Sequence, residues 1–250
     1  MKPLPPATPL ALVLSLTLAA GATAAQSFTA TYDFTQVTAS SGPTDPTPPP
    51  TVPGVTFGAF TATGVSANPN ATVRFSFTSQ PLGGVNGTND FAEFAGSLNP
   101  TAYFEVALTP LSLIQLQLDS IGFTVQRSGT GIRSYAVRSS LDGYAANLPA
   151  SISPANANLG VGPGNEFRVI SDATTTAQNG STVTLGSPFA GLTAPVSFRF
   201  YGWNAEGTGG TFSIDNVMFS GSTDNVPEPS ATALLIGGLA ALGIRRRDGK

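Results

Sequence analysis

Apolar and polar residues alternate with a period of two along most of the chain between residues 27 and 217. This period places successive side chains on opposite faces of an extended strand, so it predicts β-strands with one buried face. Glycine, proline, asparagine and serine separate the strands at short intervals, and we therefore expect an all-β antiparallel sandwich of two sheets, in the form of a jelly roll. The predicted strands are Ser27–Phe34, Val55–Phe60, Val73–Phe77, Tyr103–Leu108, Leu116–Leu118, Ile121–Val125, Tyr135–Arg138, Phe167–Val169, Val183–Leu185, Val196–Phe200 and Phe212–Val217.

A proline-rich segment interrupts this pattern at residues 41–54, where six residues are proline. Proline favours the polyproline II conformation and cannot donate to a sheet, so the segment is not a central strand. Because the strand-like Ser27–Phe34 precedes it, we interpret the segment as a long loop inside one domain that covers residues 26–225.

The first 25 residues have the pattern of a secretory signal peptide. Lys2 gives the positive start, Leu10–Ala20 is an apolar helical stretch, and small residues lead to a cleavage point after Ala24 or Ala25. The alternative is an N-terminal membrane anchor, but the apolar stretch is short for a hydrocarbon core of about 30 Å. We therefore predict export with removal of the signal helix by signal peptidase.

The last 25 residues, 226–250, contain three parts in a fixed order. The motif at 226–230 includes Pro227, Glu228 and Pro229, and the apolar segment Ala231–Ile244 follows it. A helix of that length spans about 21 Å, which predicts a short transmembrane helix that is held only marginally. The basic end, 245–250, keeps its stop-transfer arginines on the cytoplasmic side, because moving charge across a bilayer is costly. These arginines are Arg245, Arg246 and Arg247.

This ordered triple resembles the PEP-CTERM sorting signal of Gram-negative bacteria. The resemblance implies that an exosortase-type membrane protease cuts near Pro227, Glu228 and Pro229 while the tail holds the protein at the inner membrane. The protein would then reach the cell surface or the extracellular matrix of a biofilm. A plain C-terminal anchor after a proline-rich linker is the alternative.

The body of the chain carries a second resemblance. Four segments resemble the body common in PEP-CTERM surface proteins: Arg127–Gly131, Tyr135–Gly143, Phe198–Trp203 and Phe212–Val217. The last of them also resembles the final strand of galactose-binding-like jelly rolls, a fold that includes many carbohydrate-binding modules. These are strand and turn patterns, and they imply a fold rather than an activity.

Composition excludes several classes of protein. Charged residues make up 10% of the chain, far below the ~25% of a typical soluble domain, and hydrophobic residues make up 41%. This argues against both a disordered polyelectrolyte and a soluble cytosolic enzyme. The core at 26–225 has six arginines, no lysine and twelve acidic residues, which argues against nucleic-acid binding. With no cysteine and no histidine, disulfides, thiol catalysis and the commonest zinc ligands are absent.

Candidate catalytic groups are few. A Ser-His-Asp triad cannot form without histidine, and the core has no lysine for Ser-Lys catalysis. Paired carboxylates could hydrolyse a glycosidic bond, but no spacing singles out a pair, and we expect no catalytic activity, no cofactor and no metal. The available carboxylates are Glu93, Glu105, Asp119, Asp142, Glu166, Glu206 and Asp215.

Two local features stay open as alternatives. Asp215-Asn216 lies where the related jelly rolls often place ligands for a structural calcium ion, although a lone aspartate at a strand end is more often a turn residue. The segment Ser140–Gly143 partly matches an Asp-box, but its Asp and Gly are adjacent, which favours a type I′ or II′ turn between strands.

The most suggestive sugar-binding group is Tyr201, Trp203 and Asn204 together with Tyr144. We expect Trp203, the single tryptophan, to lie in the core. Three functions follow: a structural or adhesive component of the cell surface or exopolysaccharide matrix, a carbohydrate-binding module with extracellular polysaccharide as its partner, or a carboxylate-based secreted glycosidase. The missing catalytic groups favour the first.

Overall fold

The alternating segments form two antiparallel β-sheets. The computed structural model describes residues 24–226, and Ala24–Val226 is one compact unit. In chain order the strands are β1 (Gln26–Tyr32), β2 (Val55–Phe57), β3 (Thr61–Thr63), β4 (Ser66–Ala67), β5 (Phe75–Thr78), β6 (Tyr103–Pro110), β7 (Ile114–Gln126), β8 (Ser134–Ser139), β9 (Ala150–Ile152), β10 (Leu159–Gly162), β11 (Glu166–Val169), β12 (Gln178–Thr184), β13 (Val196–Trp203) and β14 (Phe212–Asn225). Single 3₁₀ turns lie at Phe91–Glu93, Ser140–Asp142, Pro163–Asn165 and Ser187–Phe189.

Each sheet contains seven strands. The first sheet has the order β4-β5-β14-β7-β12-β9, and β1 pairs with β14 beside that path. The second sheet has the order β10-β11-β8-β13-β6-β2, and β3 pairs with β6. Consecutive strands in sequence therefore often belong to opposite sheets, which closes the sandwich around a single core and confirms the predicted two-sheet class.

Phenylalanine dominates the space between the sheets. Phe104 of β6 stacks on Phe212 of β14 with their ring centroids 4.9 Å apart, and Phe200 of β13 contacts Phe123 of β7 edge to face. Aromatic pairs in these geometries contribute beyond the area that they bury. The fully buried phenylalanines are Phe34, Phe60, Phe75, Phe104, Phe167, Phe198, Phe200, Phe212 and Phe219.

The proline-rich segment packs on the sandwich without joining either sheet as a strand. The backbone N–H of Asp45 donates to the carbonyl of Phe60 at 2.9 Å, and the N–H of Ala62 donates to the carbonyl of Pro43 at 2.7 Å. Thr44 forms an isolated bridge with Thr61 of β3. These bonds hold the loop beside the edge of the second sheet.

One strand prediction was wrong in its boundaries. Leu116–Leu118 and Ile121–Val125 belong to one strand, β7, and not to two. Ser220 of β14 pairs with Ser120 and Gly221 pairs with Leu118, so Asp119 is an extra, bulged residue. A bulge shifts the alternation by one position, and this shift is what looks like a break between strands in the sequence.

The short strands β3, β4, β9 and β10 were not predicted, because two to four residues are too few to establish an alternation. Ser140–Gly143 is also different from the expectation. It forms a 3₁₀ turn that Gly143 ends in the left-handed conformation at φ 68°, and it is not a two-residue hairpin turn.

The expected signal helix at residues 1–25 lies almost wholly outside the described residues, and the expected transmembrane helix at 231–244 lies entirely outside them. Between Ala24 and Val226, no helix has the length and apolar character needed to cross a membrane.

Burial of Asp45 predicts a pH-dependent stability. Desolvation and, secondarily, the Asp33 carboxylate raise the pKa of Asp45, and its Oδ2 atom is buried without a hydrogen-bond partner. When the pKa of a carboxyl group is higher in the folded than in the unfolded state, the free energy of unfolding of the protein falls as pH rises from the unfolded pKa to the folded pKa. We expect Asp45→Asn to have a higher free energy of unfolding than the parent at pH 7.

The advantage of Asp45→Asn should shrink as pH falls through the raised pKa of the folded carboxyl toward the ordinary value of about 4, because the parent carboxyl then becomes protonated. Urea denaturation between pH 4 and pH 8 measures it. The exposed Asp119→Asn is the control and should show no such trend. An advantage of Asp45→Asn that grows on acidification would contradict the burial argument.

Candidate ligand-binding cleft

A cleft with a volume of about 490 Å³ opens on the face of the first sheet that points away from the core, where β5, β7 and β14 lie side by side. Its volume lies within the range of ~300–1,000 Å³ typical of small-molecule sites. Ten of the twelve lining residues have polar or charged side chains, the other two being Pro69 and Gly209, and none of the twelve carries a carboxylate. The residues are Asn68, Pro69, Asn70, Arg74, Thr78, Gln126, Arg127, Ser128, Thr175, Gly209, Thr211 and Ser213.

Hydrogen bonds between side chains fix the floor of the cleft. Ser76 of β5 and Ser213 of β14 are register partners, and their Oγ atoms lie 2.6 Å apart. Asn68 donates from Nδ2 to Ser76 Oγ at 2.8 Å and accepts at Oδ1 from the N–H of Asn70. All three floor residues are buried. Serine on this face alternates with core-facing phenylalanine, so the strand pattern itself makes the floor polar.

One wall of the cleft joins the end of β7 to the start of β14. The N–H of Ser128 donates to Thr211 Oγ1 at 2.9 Å, and the N–H of Thr211 donates to Ser128 Oγ at 3.0 Å. Gln126 Nε2 donates to the carbonyl of Thr175 at 2.9 Å and thereby holds the next loop in place. The reciprocal pair rigidifies two backbone segments with only two side chains.

Two arginines line the cleft. Arg127 is 2% exposed, and its Nε is buried without a hydrogen-bond partner. Arg74 lies at the rim, and its Nε is likewise buried and unpaired. Buried polar atoms in native proteins are nearly always hydrogen-bonded, so these two unpaired N–H groups beside the cleft are exceptions.

A buried ion-pair network lies behind Arg127. Glu206 accepts from Arg127 at 2.6 Å and from Arg133 at 3.0 Å, and all three side chains are at most 1% exposed. Asp172 accepts from Arg127 at 3.3 Å and lies 3.5 Å from Arg133. The two carboxylates therefore balance the two arginines.

The network also orders three loops. Arg133 donates to the backbone carbonyls of Thr88 and Ile170, each within 2.9 Å. Asp172 accepts at 3.0 Å from the N–H of Gly87. Because Glu206 belongs to the loop that leads into β14, the wall of the cleft is tied to the loop around residues 87–89 and to the loop around residue 172.

The two carboxyl groups of the network respond differently to their surroundings. Burial raises the pKa of Glu206, and the neighbouring Asp172 raises it further against the opposing effect of Arg133 and Arg127. Burial also acts to raise the pKa of Asp172, but hydrogen bonds from Glu206, the Gly87 amide and Arg127 outweigh it, and the pKa lies below its ordinary range. A proton that binds this pair therefore resides on Glu206.

The group predicted to bind sugar is largely closed. Trp203 is 6% exposed and Tyr201 1% exposed, and they form a small cluster that Leu98 and Tyr103 cover. Burial of Trp203 confirms that it is a packing residue, although it lies on the outer side of the second sheet and not between the sheets. Asn204 is buried too and donates to Ser134 Oγ at 3.0 Å.

Tyr144, the fourth member of that group, is engaged by an arginine. The Arg199 guanidinium lies 3.8 Å from the ring centroid of Tyr144 and 3.9 Å from that of Tyr103. Arg199 also pairs with the carboxylate of Glu105, which accepts from the Tyr144 hydroxyl at 3.2 Å. Sugar stacking needs a free ring face, and one face of each tyrosine is occupied by the cation.

The carboxylates considered for catalysis do not form a pair across an open site. Glu105 binds Arg199, Glu166 binds Arg168, and Glu206 is enclosed by the network. Asp142 accepts from two backbone amides in its own turn, Asp119 accepts from Gln117, and Asp215 accepts from Asn216. Glu93 is exposed in its 3₁₀ turn.

No cluster that could hold a metal forms among the carboxylates of residues 24–226. Asp215, weighed as a calcium ligand, lies beside a bulge of β14 where the register shifts before Met218. Its carboxylate accepts from the N–H of Asn216 at 2.7 Å and from Asn216 Nδ2 at 3.1 Å. It therefore makes the local bonds of a turn residue.

The cleft itself was not predicted from the sequence. Arg127 was noted only as part of a resembling segment, and Asn68, Arg74, Gln126 and Thr211 carried no motif. The available signal was the alternation of serine with phenylalanine on β5 and β14, which marks a polar outer face without marking a cavity. The sorting residues Pro227, Glu228 and Pro229 and the arginines Arg245–Arg247 lie outside the described residues.

Comparison with known proteins does not identify a relative. No protein-family model matches the chain, and no curated protein matches it either. The chemistry of the cleft must therefore be read from its own donors and acceptors.

The network predicts a large effect of one isosteric change. Glu206→Gln removes the negative charge that lies between Arg127 and Arg133 and leaves two buried cations with Asp172 alone. Removing one partner of a buried pair costs about 3–5 kcal/mol. We expect a loss of that order in the free energy of unfolding, measured by urea denaturation.

Glu93→Gln is the matched control, because the same chemical change is made at an exposed site, where surface substitutions stay within about 0.5 kcal/mol. Equal losses in the two variants would show that the network does not stabilise the fold.

Proposed function

We propose that this chain is an exported, non-catalytic cell-surface or extracellular-matrix protein that adheres to extracellular polysaccharide through the cleft on the first sheet. The observation that carries the proposal is the lining of that cleft. Hydroxyl, amide and guanidinium groups surround a space of about 490 Å³, and its floor and one wall are fixed by their own hydrogen bonds. Preorganised polar groups of this kind suit the hydroxyl-rich surface of a sugar.

The same lining favours binding over hydrolysis. A glycosidase of the common type needs two carboxylic groups about 5–10 Å apart beside the scissile bond. The residues that line the cleft include no aspartate or glutamate. This supports a carbohydrate-binding role and speaks against the carboxylate-based glycosidase considered as an alternative.

We also propose that the sandwich is a jelly roll. The supporting observation is the strand order, taken over the eight strands β5, β6, β7, β8, β11, β12, β13 and β14 in sequence. When these eight strands are numbered 1 to 8 along the chain, the first sheet has the order 1-8-3-6 and the second sheet has the order 2-7-4-5. Two interleaved Greek keys produce this order, and jelly rolls include many glycan-binding domains, which is an argument by analogy.

Export is supported by the two ends of the sequence. A signal peptide over residues 1–25 and a PEP-type tail over residues 226–250 would hold the domain at the inner membrane by a short apolar helix until an exosortase-type protease releases it. The Pro227-Glu228-Pro229 motif directly follows Val226, the last described residue. A protease would then meet the motif at the end of the sandwich domain.

Mass spectrometry of the protein from cells and from medium tests the processing. We expect an N-terminus at residue 25 or 26 and a C-terminus within or just before residues 227–229. Full-length precursor in the cytoplasm, with both termini uncut, would overturn the export proposal.

Glycan binding can be located by two variants at surfaces on opposite sheets. Gln126→Ala removes a cleft amide, and Tyr144→Ala alters the aromatic surface of the second sheet. Loss of one hydrogen bond costs about 0.5–1.5 kcal/mol, so Gln126→Ala should weaken binding to an arrayed polysaccharide about 3- to 10-fold, whereas Tyr144→Ala should leave it unchanged.

Circular dichroism of both variants confirms that each is folded. Binding that is lost in Tyr144→Ala and kept in Gln126→Ala would place the glycan site on the second sheet. Turnover of the polysaccharide would contradict a non-catalytic role.

A further inference from the structure

The charged residues that line the cleft are both cationic, Arg74 and Arg127. The remaining lining groups are neutral, so a ligand in the cleft meets positive charge and no negative charge from the lining itself. A binding site for neutral sugars needs only hydroxyl, amide and aromatic groups. Arg127 is already balanced by the carboxylates of Glu206 and Asp172, so Arg74 supplies the uncompensated positive charge of the lining, and this charge favours an anionic ligand.

Arg127 offers a fixed donor. One terminal nitrogen donates to the carbonyl of Asp172 at 2.8 Å and to its Oδ1 at 3.3 Å, and the other donates to the carbonyl of Gly129 at 2.9 Å and to Glu206 at 2.6 Å. Those bonds use both terminal nitrogens of the guanidinium and compensate its charge. Its Nε–H is buried without a partner, so Arg127 is held rigidly beside the cleft.

Arg74 offers net charge. Its terminal nitrogens donate only to backbone carbonyls, at 3.2 Å to Asn70 and at 3.4 Å to Thr72, and it belongs to none of the ion pairs within residues 24–226. Its electrostatic influence reaches Asp215, whose pKa it lowers slightly against the larger raising effect of burial. Arg74 is thus a cation that its own loop holds in position.

We infer that the cleft binds carboxylated sugar residues, and therefore that the polysaccharide it recognises contains uronic acids; this inference rests on the proposed glycan binding. The carboxylate would lie against Arg74, beside the buried side chain of Arg127, because charge-assisted hydrogen bonds from guanidinium to carboxylate are stronger than neutral ones. Hydroxyls and amides at Asn70, Thr78 and Thr175 would take the ring hydroxyls of the same residue.

A matched pair of ligands tests the inference. Trigalacturonic acid carries three carboxylates, and its methyl ester has nearly the same size and ring hydroxyls without the charge. We expect isothermal titration of the purified full chain to show at least about 10-fold tighter binding of the acid, equivalent to about 1.4 kcal/mol. The preference should weaken as salt is added, because a partly exposed ion pair is screened.

Two arginine variants then locate the preference. Arg74→Gln keeps a long polar side chain and removes the charge, so it should abolish the preference for the acid over the ester. Arg138→Gln is the control, because Arg138 lies on the second sheet, where it contacts the ring of Tyr201 and donates to Asn147. It should keep the full preference.

Each contrary result has one meaning. Equal affinity for the acid and the ester overturns the inference and leaves glycan binding intact. A preference that survives in Arg74→Gln overturns the role of this cleft in selecting the acid. Binding of neither trisaccharide also overturns the inference, and the arrayed polysaccharides described above then decide separately whether the protein binds glycans.

Discussion

The carboxylate of Glu206 lies between the guanidinium groups of Arg127 and Arg133, with no exposure to solvent. Buried charges of this kind are tolerated only when every one of them is paired. The pairing therefore dictates where the loops lie. Arg133 reaches the carbonyl of Thr88 and Arg127 reaches that of Asp172, so the loops at one end of the sandwich cannot move independently of the wall of the cleft.

This constraint explains why a sandwich of short strands can present a fixed polar cleft. Ser128 and Thr211 exchange two backbone-to-side-chain bonds at the ends of β7 and β14, next to the position of Arg127. A cleft on loops alone would lose binding energy to ordering its own groups. Here the ordering is provided in advance by a buried network that contacts the residues lining the cleft.

The sequence predicted the class of fold well because a period of two needs little else: a strand with one buried face has no other pattern. It predicted less where that period breaks. The bulge at Asp119 divided β7 into two apparent strands. The cleft could not be predicted for a different reason. Arg74, Gln126 and Thr211 are far apart in the chain and come together only after β14 pairs with β5 and β7. Trp203, in contrast, was correctly expected to be buried.

The two outer faces of the sandwich show how similar residue types lead to different roles. On the second sheet, Arg199 is enclosed by Tyr103, Tyr144 and Glu105, so its charge and the facing tyrosine rings are already used within the protein. On the first sheet, Arg74 binds only the backbone of its own loop. Aromatic content, the usual guide to sugar binding, points to the outer face of the second sheet. Unused hydrogen-bonding capacity points to the outer face of the first sheet, and it is the better guide because only unpaired groups can gain from a ligand.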